Sequence, residues 1–235
     1  MKALLYKEFK LAMHPICYVF IFAFPLMILI PSYPIAVGFI YILSCYPVLF
    51  LGANKGQQSN DLLFSTLLPV RKKDIVLARI ITIIIMQIAF ILVMSALWPL
   101  AYYAQNAIIA SAEASGEGAK AIETPGIPLT GFVSTVAIAV IGYAIADLIF
   151  FPIYYKHGRS IVASTLCTIL GFIAYLGIFS IGLPYLPVIG EPYTKFLSGN
   201  LGIQFAILGG ALLISFLIHF LVYKISAKRL EQVDF

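Results

Sequence analysis

Long uninterrupted apolar runs constrain this chain more than any other feature, because a run of about 20 apolar residues is long enough to cross a bilayer as a helix. Six such runs are legible: 16–30 and 35–51, which are short, then 80–104, 130–153, 161–183 and 201–224. Pro31-Ser32-Tyr33-Pro34 separates the first two, so 16–51 is expected to be a tight helical hairpin, kinked at Pro25 and Pro47. Composition agrees: 62% of the residues are hydrophobic and 11% charged, with a mean hydropathy of +1.01. A soluble domain is about one quarter charged. The net charge of +5 is spread thinly among apolar runs, which excludes a nucleic-acid-binding domain. The expected fold is all-α, a polytopic membrane protein with six transmembrane helices.

Basic residues orient it, since Lys and Arg beside membrane segments are retained in the cytoplasm. One side collects Lys2, Lys7, Lys10, Lys55, Arg71, Lys72, Lys73, Arg79, Lys156, Arg159, Lys224, Lys228 and Arg229, and the other has Lys120 and Lys195. Both termini are therefore expected in the cytoplasm, as an even number of spans requires. The amino end has signal-peptide polarity but no small-residue cleavage site, and reads as an uncleaved span preceded by an amphipathic interfacial helix over 1–14. Outside, 105–128 is Ala-, Ser-, Gly- and Glu-rich and reads as an exposed, mobile segment with at most a short helix. The outer stretch 184–200 is too apolar for a free loop and too broken for a span, so a short re-entrant or interfacial hairpin is expected. Residues 225–235 read as a cytoplasmic tail.

Three kinds of chemistry find no motif. No GxxxxGK[ST] phosphate loop occurs, so any ATP is hydrolysed elsewhere. His14, His157 and His219 fall near different helix ends, with no HExxH, which argues against a metal site or an intramembrane hydrolase. Cys17, Cys45 and Cys167 lie in apolar runs and read as small hydrophobes. Gly202, Gly209 and Gly210 allow close helix approach in the last span.

Asp147 is the one acidic residue well inside a span, where a charge costs about 2.5–3.5 kcal/mol or more. Three readings stand: a structural pair with Arg159, Arg79 or a Tyr hydroxyl, a contact to cargo, and a proton relay. His219 reads most simply as a satisfied polar residue near the inner end of the last helix.

The cytoplasmic loop 54–79 is longer than a membrane turn needs. Ser59, Asn60 and Asp61 offer helix caps, Leu62, Leu63, Phe64, Leu67 and Leu68 recur at helical spacing, and Pro69 stops the pattern. Such a helix either lies on the inner leaflet, with its cations on anionic lipid, or docks its apolar knobs into a cytoplasmic partner.

The run from Asp61 through Leu62, Leu63, Phe64, Ser65, Leu67, Leu68, Pro69, Arg71, Lys72 and Lys73 to Val76 resembles the segment after the second span of small six-helix ABC type-2 permeases. Pro152-Ile153-Tyr154-Tyr155-Lys156-His157-Gly158-Arg159 is similar to the inner loop of the subfamily that exports phenol-soluble modulin peptides. The resemblance implies a membrane subunit of an ATP-driven exporter in the bacterial cytoplasmic membrane, paired with a second permease chain as homo- or heterodimer and with two separate ATPase subunits that bind ATP and Mg. It implies that Asp61 to Pro69 is the coupling helix, flanked by Arg71, Lys72 and Lys73, that Tyr155, Lys156, Gly158 and Arg159 form a second cytoplasmic contact, and that the cargo is an amphipathic peptide or hydrophobic compound. This chain would hold no cofactor and would not itself be an enzyme. Two rivals are an ion-driven secondary carrier, which would need Asp147, and the substrate-binding membrane subunit of a vitamin importer.

Overall fold

The computed structural model describes residues 2–12, 15–29, 41–42, 45–46, 65, 70–114, 131–157 and 161–232. Every element among them is helical. In chain order they are α1 (Lys2–Lys7) with a π-helical continuation (Glu8–Ala12), α2 (Pro15–Ala23) with a 3₁₀ continuation (Phe24–Leu29), α3 (Lys72–Ala114), α4 (Phe132–His157), α5 (Ile161–Leu176) with a π-helical continuation (Gly177–Gly182), α6 (Leu183–Tyr185), α7 (Gly190–Leu197) and α8 (Leu201–Glu231). Four stretches are long and apolar enough to cross a membrane: Lys72–Ile108, Phe132–Lys156, Ile161–Tyr185 and Leu201–Glu231. The chain therefore has the architecture of a helical membrane protein. A shorter apolar helix covers Ile16–Leu26, and Pro25 falls in the 3₁₀ turns that follow the α-helical part. Of the 35–51 run only Tyr41, Ile42, Cys45 and Tyr46 are described, all helical.

Three expected boundaries move. The third run is part of a 43-residue helix, about 65 Å long at 1.5 Å per residue, which starts at Lys72 and continues through Ala114. The first ten residues of the expected mobile segment 105–128 thus belong to α3. Their Ala, Gln and Ile content favours helix, although it lacks the hydropathy of a span. The tail is likewise helical to Glu231, and Lys228 and Arg229 in the last turn suit the negative end of the helix dipole. Between Leu183 and Asn200 the chain turns at Leu186 to Ile189, then forms α7. This short helix is pinned back by Tyr193 Oη, which donates to the Phe179 carbonyl at 3.0 Å, and by Ser134 Oγ, which donates to the Leu197 carbonyl at 2.8 Å. Burial pushes the Tyr193 hydroxyl up to about 12. Asn200 caps α8, its side chain accepting from the Gly202 amide at 3.2 Å.

The bundle is organised around α4, which packs along α8 and against α5, while α3 packs against α8 and barely touches α4. Gly142 and Gly171 let α4 and α5 close up: a Cβ at Gly142 would meet the Phe172 and Tyr175 rings at 2.9 and 3.0 Å, and one at Gly171 would overlap the Ile149 side chain. The glycines expected to do this do not. Among the described residues no atom outside their own helix lies within 4 Å of a Cβ at Gly209 or Gly210, and Gly202 meets only Asn200. An aromatic ladder fills the end of α4 nearest His157, with Tyr46 on Phe150 at 4.7 Å, Phe150 on Tyr154 at 5.8 Å and Phe151 on Tyr155 at 6.2 Å.

Candidate functional site

Two groups of buried polar side chains stand out from this apolar frame, because such groups persist in a core only when partnered. The first lies at the foot of α3. Arg79 is fully buried and its Nε and Nη2 donate to Glu8 Oε2 and Oε1 at 3.0 and 3.3 Å, a two-point grip on a carboxylate that is itself 2% exposed. Lys7 Nζ lies 3.5 Å from Glu8 Oε1 and donates to Ser65 Oγ. Residues 71 and 58 positions apart in sequence thus meet: the amino-terminal helix, the foot of α3 and one residue of the 54–79 loop. The amino-terminal helix is held against the bundle by these pairs and by buried Leu4, rather than only lying on a surface.

The second group lies within the bundle. Asp147, fully buried on α4, places Oδ2 2.9 Å from His219 Nε2 on α8 and accepts from Gln87 Nε2 on α3 at 3.2 Å. Gln87 Nε2 also donates to Tyr46 Oη at 3.1 Å, so three helices and the 41–46 segment converge on one carboxylate. His219 Nδ1 lies 2.7 Å from the Ser215 carbonyl oxygen, which can only accept, so this nitrogen carries a proton. One further proton is then shared between Nε2 and Oδ2, and the pair is neutral overall wherever that proton sits. This is how a carboxylate is tolerated at that depth. Asp147 Oδ1 is buried with no hydrogen-bond partner among the described residues.

The expected partners of Asp147 need correction. Arg79 is taken by Glu8, and the bonds are made instead by His219 and Gln87, with Arg159 outside the described residues. Of the residues assigned to coupling, Asp61, Leu62, Leu63, Phe64, Leu67, Leu68 and Pro69 lie outside the described residues, as do Gly158 and Arg159. Ser65 is buried against Lys7, Arg71 is exposed, and Lys72 and Lys73 are half-buried in the first turn of α3. Tyr155 is buried in the aromatic ladder and Lys156 is exposed. Sequence reasoning missed Glu8, Gln87 and the partner of Asp147. Depth was the available signal: Asp147 lies six residues before the end of its apolar run and His219 a few residues before the end of its own.

Where α3 and α4 make little contact, a cavity of about 530 Å³ opens between α3, α4 and α8. Its walls are apolar, and Gln87, Ser215, His219 and the hydroxyl-bearing Tyr143 are the lining residues with polar groups. A volume of this size, with a few convergent polar groups, is typical of small-molecule sites. Among the described residues no group of three or more His, Cys, Asp or Glu could hold a metal ion.

No protein-family model, no curated protein and no solved structure gives a significant match to this chain.

Proposed function

We propose that this chain is the six-span permease subunit of an ATP-binding cassette exporter, working as a dimer with two ATPase subunits and with both termini in the cytoplasm. The observation that supports this reading most is the cluster at the foot of α3. Ser65 belongs to the segment whose sequence resembles a coupling helix, and it is bonded to Lys7, whose neighbour Glu8 grips Arg79. A displacement of the loop by an ATPase would therefore be passed to the amino-terminal helix and to a transmembrane helix at once. Rigid elements joined by buried ion pairs move together, which is what alternating access demands of a coupling device. Nucleotide-driven closure of the ATPases would shift Asp61 to Pro69, tilt the second and third spans, and switch access for an amphipathic peptide or hydrophobic compound.

The test is co-purification of a Walker-motif ATPase with the tagged chain from gently solubilised membranes. Leu63→Asp combined with Leu67→Asp should release the ATPase while membrane insertion stays normal. Unchanged assembly of the double variant would refute docking through this loop.

The neutral Asp147–His219 pair beside a cavity favours a second reading, an ion-driven carrier. Transport that needs no ATP and is lost in Asp147→Asn would select it over the first.

A further inference from the structure

The cavity between α3, α4 and α8 has an exposed apolar rim and apolar walls, with only a few polar groups among its lining residues. Ile88, Leu92, Leu212 and Phe216, which line it, are each more than half exposed, at 51, 64, 53 and 71%. They face whatever surrounds α3 and α8 in the plane of the membrane. The opposite wall is α4, through Val136, Val140 and Tyr143, all buried. Along α8 the lining runs from Leu208 to His219, eleven residues or about 16 Å. Tyr41, Ile42, Cys45 and Tyr46 are not among the residues lining this space: Tyr46 reaches Gln87 from the face of α3 that carries Ile83 and Met86, whereas the cavity lies on the face carrying Ile84, Ile88 and Ile91.

The chemistry of the polar members selects the head group. Gln87 has spent its Nε2 on Tyr46 and Asp147, and no hydrogen bond reaches its Oε1 among the described residues, which leaves an acceptor. Asp147, bonded to Gln87 but not itself a lining residue, has a buried Oδ1 with no donor among the described residues. Ser215 Oγ, 3.3 Å from His219 Nδ1, can accept or donate. Gln87 Oε1 is thus an acceptor in need of a donor, while the hydroxyls of Ser215 and Tyr143, which also line the cavity, can each donate or accept, so a head that both donates and accepts is matched. The site lacks charge to offer. No Lys or Arg lines the cavity, and the carboxylate beneath it is neutralised by His219, so an ammonium or a carboxylate head would enter without a counter-ion in a medium where that is costly.

We propose that this cavity binds a neutral apolar chain ending in a hydroxyl, drawn sideways from the bilayer, with the hydroxyl donating to Gln87 Oε1. The inference rests on α3, α4 and α8 being membrane spans and holds for either energy source, so failure to find an ATPase leaves it standing.

The full-length chain in phosphatidylcholine nanodiscs would be irradiated with one of three dodecyl probes, identical in carrying a diazirine near the tail and differing only in a hydroxyl, ammonium or carboxylate head. Labelled peptides would be mapped by mass spectrometry. The hydroxyl probe should label the Leu92 and Leu212–Phe216 stretches at least tenfold more than either charged probe, and excess dodecanol should remove that labelling. Leu212→Trp, which fills the mouth, should lower it tenfold; Val140→Phe fills the same space from α4 and serves if the first variant does not fold. Equal labelling by the three probes without competition would mean ordinary lipid contact and overturn the proposal. So would stronger labelling by a charged probe, indifference to both filling variants, or exclusion of every probe by a second copy of the chain seated over the mouth.

Discussion

The two buried polar clusters solve the same problem in different ways. At the foot of α3 the Glu8 carboxylate, contributed by the amino-terminal helix, is paired with two cations, Arg79 and Lys7. Between α3, α4 and α8 a single carboxylate shares a proton with one imidazole and takes an amide donor, leaving no net charge. The first is a joint between pieces of chain far apart in sequence, and it fails when one piece is removed. The second lies between helices already packed on each other, with α4 and α8 in extensive contact. Buried ion pairs cost most when one partner is deleted, because the remaining charge is stranded. Neutral hydrogen-bonded groups cost less.

That contrast sets an order of effects. Arg79→Ala should be the most damaging single change, lowering stability by about 3–5 kcal/mol as read by thermal unfolding in detergent, because Glu8 is left buried beside one weaker partner. Exchanging the charges, Glu8→Arg with Arg79→Glu, should recover part of the loss; no recovery would mean that packing, not the pair, holds the joint. Asp147→Asn should cost about 1–3 kcal/mol, since the His219 bond weakens while the side-chain volume stays. Combining it with His219→Gln should cost less than the sum of the single changes, and strict additivity would contradict a shared proton. Gly142→Ala should cost about 1–3 kcal/mol, because the Phe172 and Tyr175 rings must give way. Gly209→Ala should be neutral or stabilising by up to about 1 kcal/mol, as its Cβ meets nothing and alanine is the better helix former. Equal losses at the two glycines would mean that another surface covers α8.

Much of the fold could be read from hydropathy, and much of the site could not. Residues 132–153 of the fourth run, and the runs 161–183 and 201–224, lie in apolar helices, because a run of that length has no other way to satisfy its backbone in lipid. Hydropathy marks the membrane and not the helix, so Lys72 to Arg79, Gln105 to Ala114 and Ile225 to Glu231 escaped: polar helix formers extend a helix without extending the apolar run. Asp147 announced itself by the cost of its position. Its partners did not, since Gln87 and His219 lie 60 and 72 positions away and no periodicity links them. Glu8 was hidden for another reason. It lies between Lys7 and Lys10 on a short helix, where nothing in the sequence distinguishes an inward carboxylate from a surface one, and only packing reveals that it faces inward.

Pro99 gives the length of α3 a mechanical meaning. Proline donates no backbone hydrogen bond, so the helix is weakest one turn below it, at the Ser95 carbonyl. α3 is then two rods in series, a lower one of about 40 Å from Lys72 to Trp98 and an upper arm beyond. In the proposed transport cycle a screw motion introduced at Arg79 would travel up the lower rod to Trp98, whose ring stacks on Phe132 at 5.4 Å. Phe132 begins α4, and apart from the Gln87–Asp147 hydrogen bond α3 and α4 touch little elsewhere. Under the proposed coupling, torque entering at the foot would reach α4 at two levels, beside the cavity through Gln87 and Asp147 and above it through Trp98 and Phe132, while the proline would spare the upper arm from following.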